Sequence, residues 1–352
     1  MDARGRRLAS GFGLCLSLVA ACPEPPEEPA ERPLNWAPAA FGGVIPSPAR
    51  NPLTTAGVAL GRRLFYDASL SANGAVSCAS CHRQRLAFAD AQPLGSQGVS
   101  GQPLERHAPT LHNLAWADQG LFWDGGASDL ESLMAAPLLD EHEMAADPSA
   151  LVNRLRNDPS YRSGFSQAFD AEPSLALVMR ALAQFVRTLV SAGSRYDAYI
   201  AGQEELSDDE LAGLRVFERA CSGCHPAPFF TDHGFHDLGL ELDHSEDPED
   251  VRKGRARITE RSEDLGRFKT PSLRNVTLSA PYGHDGRFPT LRAVLDSYRH
   301  GMQSTPNLDP VFRGHDGAIG LDLSDDEVEQ IESFLATLTD PELTTRHEWS
   351  AP

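Results

Sequence analysis

No stretch of this sequence is long and apolar enough to cross a bilayer, which takes about 20 consecutive apolar residues. The best candidate, Gly11 to Ala21, is much shorter. With Arg4, Arg6 and Arg7 before it and small residues at its end, it has the layout of an export signal over residues 1–22. Basic residues are scarce: 31 Lys and Arg stand against 50 Asp and Glu, a formal charge of −19. Such a surface cannot neutralise phosphates, which excludes nucleic-acid binding. It leaves either a self-repelling soluble surface or a basic protein partner. Cysteine is scarce too. Of the 6 present, Cys15 and Cys22 fall in the signal and the other four fall in two C-x-x-C-H sequences. No thiol remains for a disulfide, although an exporting route would permit one. Runs of alternating apolar and polar residues are also missing, so no β-sheet architecture is expected.

What is present is helical. Leu175, Val178, Leu182, Phe185 and Leu189 share one helix face. Ser207-Asp208-Asp209-Glu210 and Ser324-Asp325-Asp326-Glu327 read as capping boxes, in which Ser and Glu satisfy each other's backbone N–H groups. Val19-Ala20-Ala21-Cys22 resembles a lipoprotein box, with Cys22 as the lipidated residue; the rival is an ordinary cleaved signal. Residues 23–45 begin Pro/Glu-rich and read as a disordered tether. A periplasmic location is expected, with membrane contact only through that lipid. Similar surroundings suggest an internal duplication: Gly61-Arg62-Arg63-Leu64-Phe65 precedes the first C-x-x-C-H, Gly213-Leu214-Arg215-Val216-Phe217 the second, and Phe-x-Asp follows each. The expected fold is all-α: two cytochrome c-like haem domains with long irregular loops, at 46–202 and 203–345, meeting near Gly202. An acidic loop runs from about Asp237 to Glu263.

The motifs Cys78-Ala79-Ser80-Cys81-His82 and Cys221-Ser222-Gly223-Cys224-His225 each read as covalent attachment of a c-type haem. Two thiols add to the haem vinyl groups, and the adjoining histidine is placed to ligate iron from one side. A zinc site would draw four ligands from neighbouring pairs, but these pairs lie far apart in sequence. A thiol redox pair needs no histidine after its second cysteine.

The chain resembles the bacterial di-haem cytochrome c peroxidases and their MauG-like relatives from about Leu60 to Leu338. The resemblance is carried by Leu64-Phe65-Tyr66-Asp67, both C-x-x-C-H motifs, Ala108-Pro109-Thr110-Leu111, Phe122-Trp123-Asp124-Gly125, Phe268 to Val276, and Ala280 to Gly286. It implies that Trp123 lies between the two haems as a redox relay. It implies that Glu143 is the distal carboxylate assisting peroxide cleavage, with His142 a neighbouring rival. Leu133 stands where the family's peroxidases carry a glutamine, and Gly95 to Gly101 lacks the histidine that caps their first iron. His107 and His112 are weaker candidates for that gate. The first haem is therefore expected to be open. The far ligand of the second haem matches Tyr298, as in the tyrosine-ligated MauG- and MbnH-like branch, ahead of Met302 and His300. Leu291, Val294, Leu295 and Tyr298 share a helix face, and Gly301 is expected to end that helix. Calcium between the domains would use the carbonyls of Ser279 and Pro281, with His107 replacing the usual asparagine, a poor exchange for a hard cation.

The resemblance implies a hydrogen-peroxide-dependent oxidoreductase that oxidises a partner protein. Peroxide detoxification with a soluble electron donor is the first alternative, and a non-catalytic di-haem electron carrier the second.

Overall fold

The computed structural model describes residue 1 and residues 33–352, apart from 93–97, 243, 245–246, 248–249 and 315–316. The signal, Cys22 and the first part of the tether lie outside the described residues.

Helices begin where the sequence supplies a cap. α1 (Thr55–Tyr66) opens on Thr54, whose hydroxyl accepts from Gly57 N. α2 (Cys78–Cys81) is one turn opened by Ser77, whose N–H donates to Ser80 Oγ. α3 (Leu130–Leu133) and α4 (Ala135–Leu139) follow in close succession. α5 (Pro148–Asn157) and α6 (Pro159–Phe169) each start Asp-Pro, using proline where its missing N–H costs nothing. α7 (Leu175–Arg187) opens on Ser174 and α8 (Arg195–Ile200) on Ser194. α9 (Asp208–Ala220) begins at the first expected capping box. After α10 (Ala256–Thr259) and α11 (Leu291–Asp296), α12 (Asp325–Ala336) begins at the second, and α13 (Pro341–Thr345) ends the series.

Two helix pairs repeat one packing solution. α1 crosses α7 at Gly61, where a Cβ would land 1.9 Å from the Ala181 carbonyl oxygen. α9 crosses α12 at Gly213, where a Cβ would land 1.8 Å from the Gln330 carbonyl oxygen. Phe185 and Phe334 each lie 2.9 Å from the corresponding absent Cβ. Alanine normally gains about 1 kcal/mol over glycine inside a helix. Here the clash wins: Gly61→Ala is expected to destabilise by on the order of 1–3 kcal/mol, seen as a lower thermal midpoint by circular dichroism. A midpoint that rises would show that these helices are free to separate.

The packing redraws the expected domains. One core centres on Leu64, Phe65, Phe165 and Phe185, the other on Phe217, Phe230, Phe334 and Leu335. They do not divide at Gly202. Tyr196 of α8 packs edge-on against Phe230 and Phe334 in the second core. Leu343 and Trp349, from the end of the chain, are buried in the first. The expected tether over 23–45 is corrected as well. From Leu34 onward the chain joins the folded unit, with Ala37, Phe41 and Ile45 buried against Trp116 and Phe229.

Helix dominates, as expected, but one small sheet is present. β1 (Phe235–Asp237) pairs antiparallel with β2 (Arg267–Lys269), closing the acidic loop at its base. Three-residue strands are too short to show alternation in the sequence. α11 passes into a π-turn over Ser297–Gly301, so the helical run ends at Gly301 as expected, though its last turn is widened. The Tyr298 carbonyl accepts from Leu321 N at 2.8 Å, an outside donor where a continuing helix would supply its own.

Candidate active site

His82 and His225 are held alike. Each Nδ1 donates to a carbonyl 2.9 Å away, Phe88 for His82 and Phe230 for His225. Both phenylalanines adopt left-handed backbone, φ 60 and φ 54, which turns that carbonyl back onto the ring. With Nδ1 as donor, Nε2 keeps a lone pair for a metal. Burial lowers both histidines' pKa, keeping them neutral. Burial also pushes the Cys78 and Cys221 thiols up to about 12.

The space around the second motif fits a flat apolar ring. Cys221, Cys224 and His225 line one cavity with Leu295, Phe312 and Leu335. Tyr298 lines the same cavity, with its ring 5.7 Å from that of Phe312. Burial, followed by the Cys221 and Cys224 sulfurs, raises its phenol above the usual range. His300 is exposed on a separate groove with Arg292 and Asp296.

Residues from the first half enter that cavity too. Trp123 lines it, its Nε1 donating to the His107 carbonyl at 2.8 Å and its own carbonyl accepting from Lys269 N at 2.8 Å. His107 N donates to the His284 carbonyl at 2.9 Å, and the His284 ring stacks on Phe268 at 3.6 Å. Trp123 is thus tied to both halves of the chain. Asp124, beside it, holds Arg106 at 2.7 Å and Arg257 at 3.3 Å.

Glu143 sits near Cys78, and burial, with Asp140 adding, pushes its carboxyl up to about 7. Its carbonyl accepts from Val99 N at 2.7 Å. At Gly98 a Cβ would meet the His142 carbonyl at 1.9 Å, so the loop reaches Glu143 only as glycine. His142 is exposed. Leu133 is buried in the first core.

The other expected residues are placed as follows. Ser279 and Pro281 line the central cavity with His107. The His107 ring, however, bonds the Asp90 carbonyl at 2.9 Å. His112 is buried, its Nε2 3.1 Å from the Arg274 carbonyl. His236 was not singled out from the sequence. It sits on β1 between Asp309 (2.6 Å) and Asp232 (2.9 Å). Its pKa is pushed up to about 10, by Cys224 first and then by the two carboxylates. With Cys224 joined to haem its thiol would no longer contribute, and the two carboxylates alone would favour the charged ring. The Phe-x-Asp repeat pointed to Asp232 but not to its partner. Lys269, also missed, lines the cavity, and burial lowers its ammonium to about 8.

Comparison with known proteins follows the same lines. The sequence pattern of the di-haem cytochrome c peroxidase family matches residues 55–205. Methylamine utilization protein MauG of Methylorubrum extorquens is 36% identical over 299 residues, covering 84% of this chain and 81% of that protein. Cytochrome c551 peroxidase of Nitrosomonas europaea is 32% identical over 285 residues, 80% of this chain and 79% of that one. The crystal structure of a MauG-like protein associated with microbial copper homeostasis superposes with a TM-score of 0.80 at 31% identity, covering 92% of this chain and 98% of the other.

Proposed function

Because this chain belongs to the di-haem cytochrome c peroxidase family, whose members are peroxide-dependent oxidoreductases, we propose that it uses hydrogen peroxide to withdraw two electrons from a partner protein. The observation that carries this reading is Tyr298, lining the cavity of the second C-x-x-C-H motif together with Trp123. Cys78, Cys81 and His82 would hold one haem, and Cys221, Cys224, His225 and Tyr298 the other. The haems supply peroxide reduction and storage of its two oxidising equivalents.

The chain's own residues do the rest. Glu143 takes the proton from one peroxide oxygen and returns it to the other, a task suited to a half-buried carboxyl titrating near neutrality. Leu133 leaves that carboxyl without the second polar group that the family's peroxidases place nearby. Trp123, fixed through both its indole N–H and its carbonyl, links the halves electronically. A phenolate at Tyr298 donates negative charge and favours electron loss, where a thioether would favour the reduced state. In this reading Ser279 and Pro281 offer carbonyls to calcium, and a lipid on Cys22 holds the enzyme in the periplasm at a membrane.

The test adds peroxide to the purified, doubly haem-loaded protein in its oxidised state. Expected are a high-spin ferric signal from the first haem, a loss of that signal on adding peroxide without prior reduction, and oxidation of a partner protein encoded nearby. Rapid steady turnover with a reduced soluble cytochrome would favour detoxification instead. Purely low-spin spectra, unmoved by peroxide, would favour an electron carrier. Trp123→Phe is expected to leave the reaction with peroxide intact while partner oxidation falls at least tenfold, about 1.4 kcal/mol of barrier.

A further inference from the structure

We propose that Trp116 is the residue through which the second haem draws electrons from outside the protein. This deepens the reading above and rests on it. Trp116 is half-buried, at the surface end of a short run of aromatic rings. Its ring lies 5.3 Å from Phe229 and 5.4 Å from Phe41, and Phe41 lies 4.5 Å from Phe229. Phe229 is bonded to Phe230, whose carbonyl receives the His225 Nδ1 hydrogen bond at 2.9 Å. An unbroken path of ring contact, peptide bond and hydrogen bond therefore joins an indole at the surface to the histidine of the second motif. Phenylalanine resists oxidation and serves only as a bridge. Trp116 is the oxidisable group on this path.

The surroundings suit a cationic radical. Indole Nε1 donates to the Phe41 carbonyl at 3.0 Å. A carbonyl is no base, so the proton stays on nitrogen while the oxygen dipole faces the positive charge left by electron loss. Arg274 places its guanidinium 5.1 Å from the Phe41 ring, but Asp197 neutralises it through two 2.8 Å hydrogen bonds. Hydrogen peroxide takes up two electrons and two protons and becomes two waters. An electron leaves Trp116 toward His225, and the partner protein restores it, once for each equivalent. The same turn of chain that buries Phe41 fixes the indole, so the path is preformed.

The experiment treats the doubly haem-loaded protein with one equivalent of peroxide and no partner. Its readouts are the optical spectrum, electron paramagnetic resonance, and peptide mass spectrometry. In the wild type, a tryptophan radical signal and oxygen adducts on Trp116 are expected, exceeding those on the more exposed Trp36. Trp116→Phe, which keeps the ring stack, should abolish the signal and lengthen the life of the oxidised state several-fold. Trp116→Tyr, still oxidisable, should restore the shorter life. If the oxidised state forms normally but Trp116 stays unmodified and Trp116→Phe decays like the wild type, this inference fails and the proposed function stands. If peroxide produces no oxidised state at all, both fail together.

Discussion

Replacing Glu143 by Gln is expected to slow the reaction with peroxide by about 10²–10⁴-fold at pH 8, the usual worth of a positioned acid–base group. Glutamine keeps the volume and the burial but cannot accept a proton. The pH dependence is the sharper signature. Burial and Asp140 bring the wild-type carboxyl up to about 7, so the rate should climb as pH rises through 7 and then level off. In the variant that step should vanish. Asp140→Asn removes the nearby negative charge and should move the step to lower pH. Stability runs the opposite way. A carboxyl whose folded pKa is raised contributes most when protonated, and that contribution is lost as pH rises through about 7. Glu143→Gln should therefore be more stable than the wild type at pH 8 and equal to it at pH 4. Stopped-flow rates across pH 5–9 and thermal midpoints across pH 4–9 test both halves. A step that persists in the variant would remove Glu143 from proton transfer.

Tyr298→Phe is expected to change the visible spectrum of the second haem and reduce partner oxidation to background, while peroxide still reacts at the first. Burial alone raises the phenol above its usual range, so on its own it stays protonated. A trivalent iron facing it would reverse that preference, as metals do for ligands they bind. Phenylalanine can keep the contact with Phe312, so loss of function would not reflect loss of fold. Resonance Raman detection of an iron–phenolate mode, present before and absent after substitution, is the direct measurement. An unchanged spectrum would hand the far position to another side chain, with Met302 next in line.

Local chemistry was legible in the sequence; long-range packing was not. Both capping boxes form because each involves residues three positions apart. The C-x-x-C-H motifs are likewise self-contained, and their histidines take identical hydrogen bonds. Glu143 shows where residue-level reading stops. Within Asp140-Glu141-His142-Glu143 it looks like one more solvated acid, and only family resemblance singled it out. Its backbone is held by Gly98 and Val99, some 45 positions earlier, a contact no local pattern announces. Residues 34–45 were misread by extension of the Pro/Glu-rich stretch before them, since they hold one proline and Phe41 finds its partners at Trp116 and Phe229. His236 was invisible because its carboxylates lie 4 and 73 positions away. The π-turn at Tyr298 depends on Leu321 arriving from outside the helix, which periodicity along α11 cannot anticipate.

The return of the chain's end to the first core has a consequence for assembly order. Arg62 bonds the carbonyls of His347 and Ser350, and Tyr66 bonds that of Trp349, across separations of up to 288 positions. Contacts so distant along the chain form late. During folding the first core must wait, unfinished, until residues 343–351 are available, whereas the second can close on nearby helices. An affinity tag fused after Pro352 would therefore perturb the haem site encoded farthest from it.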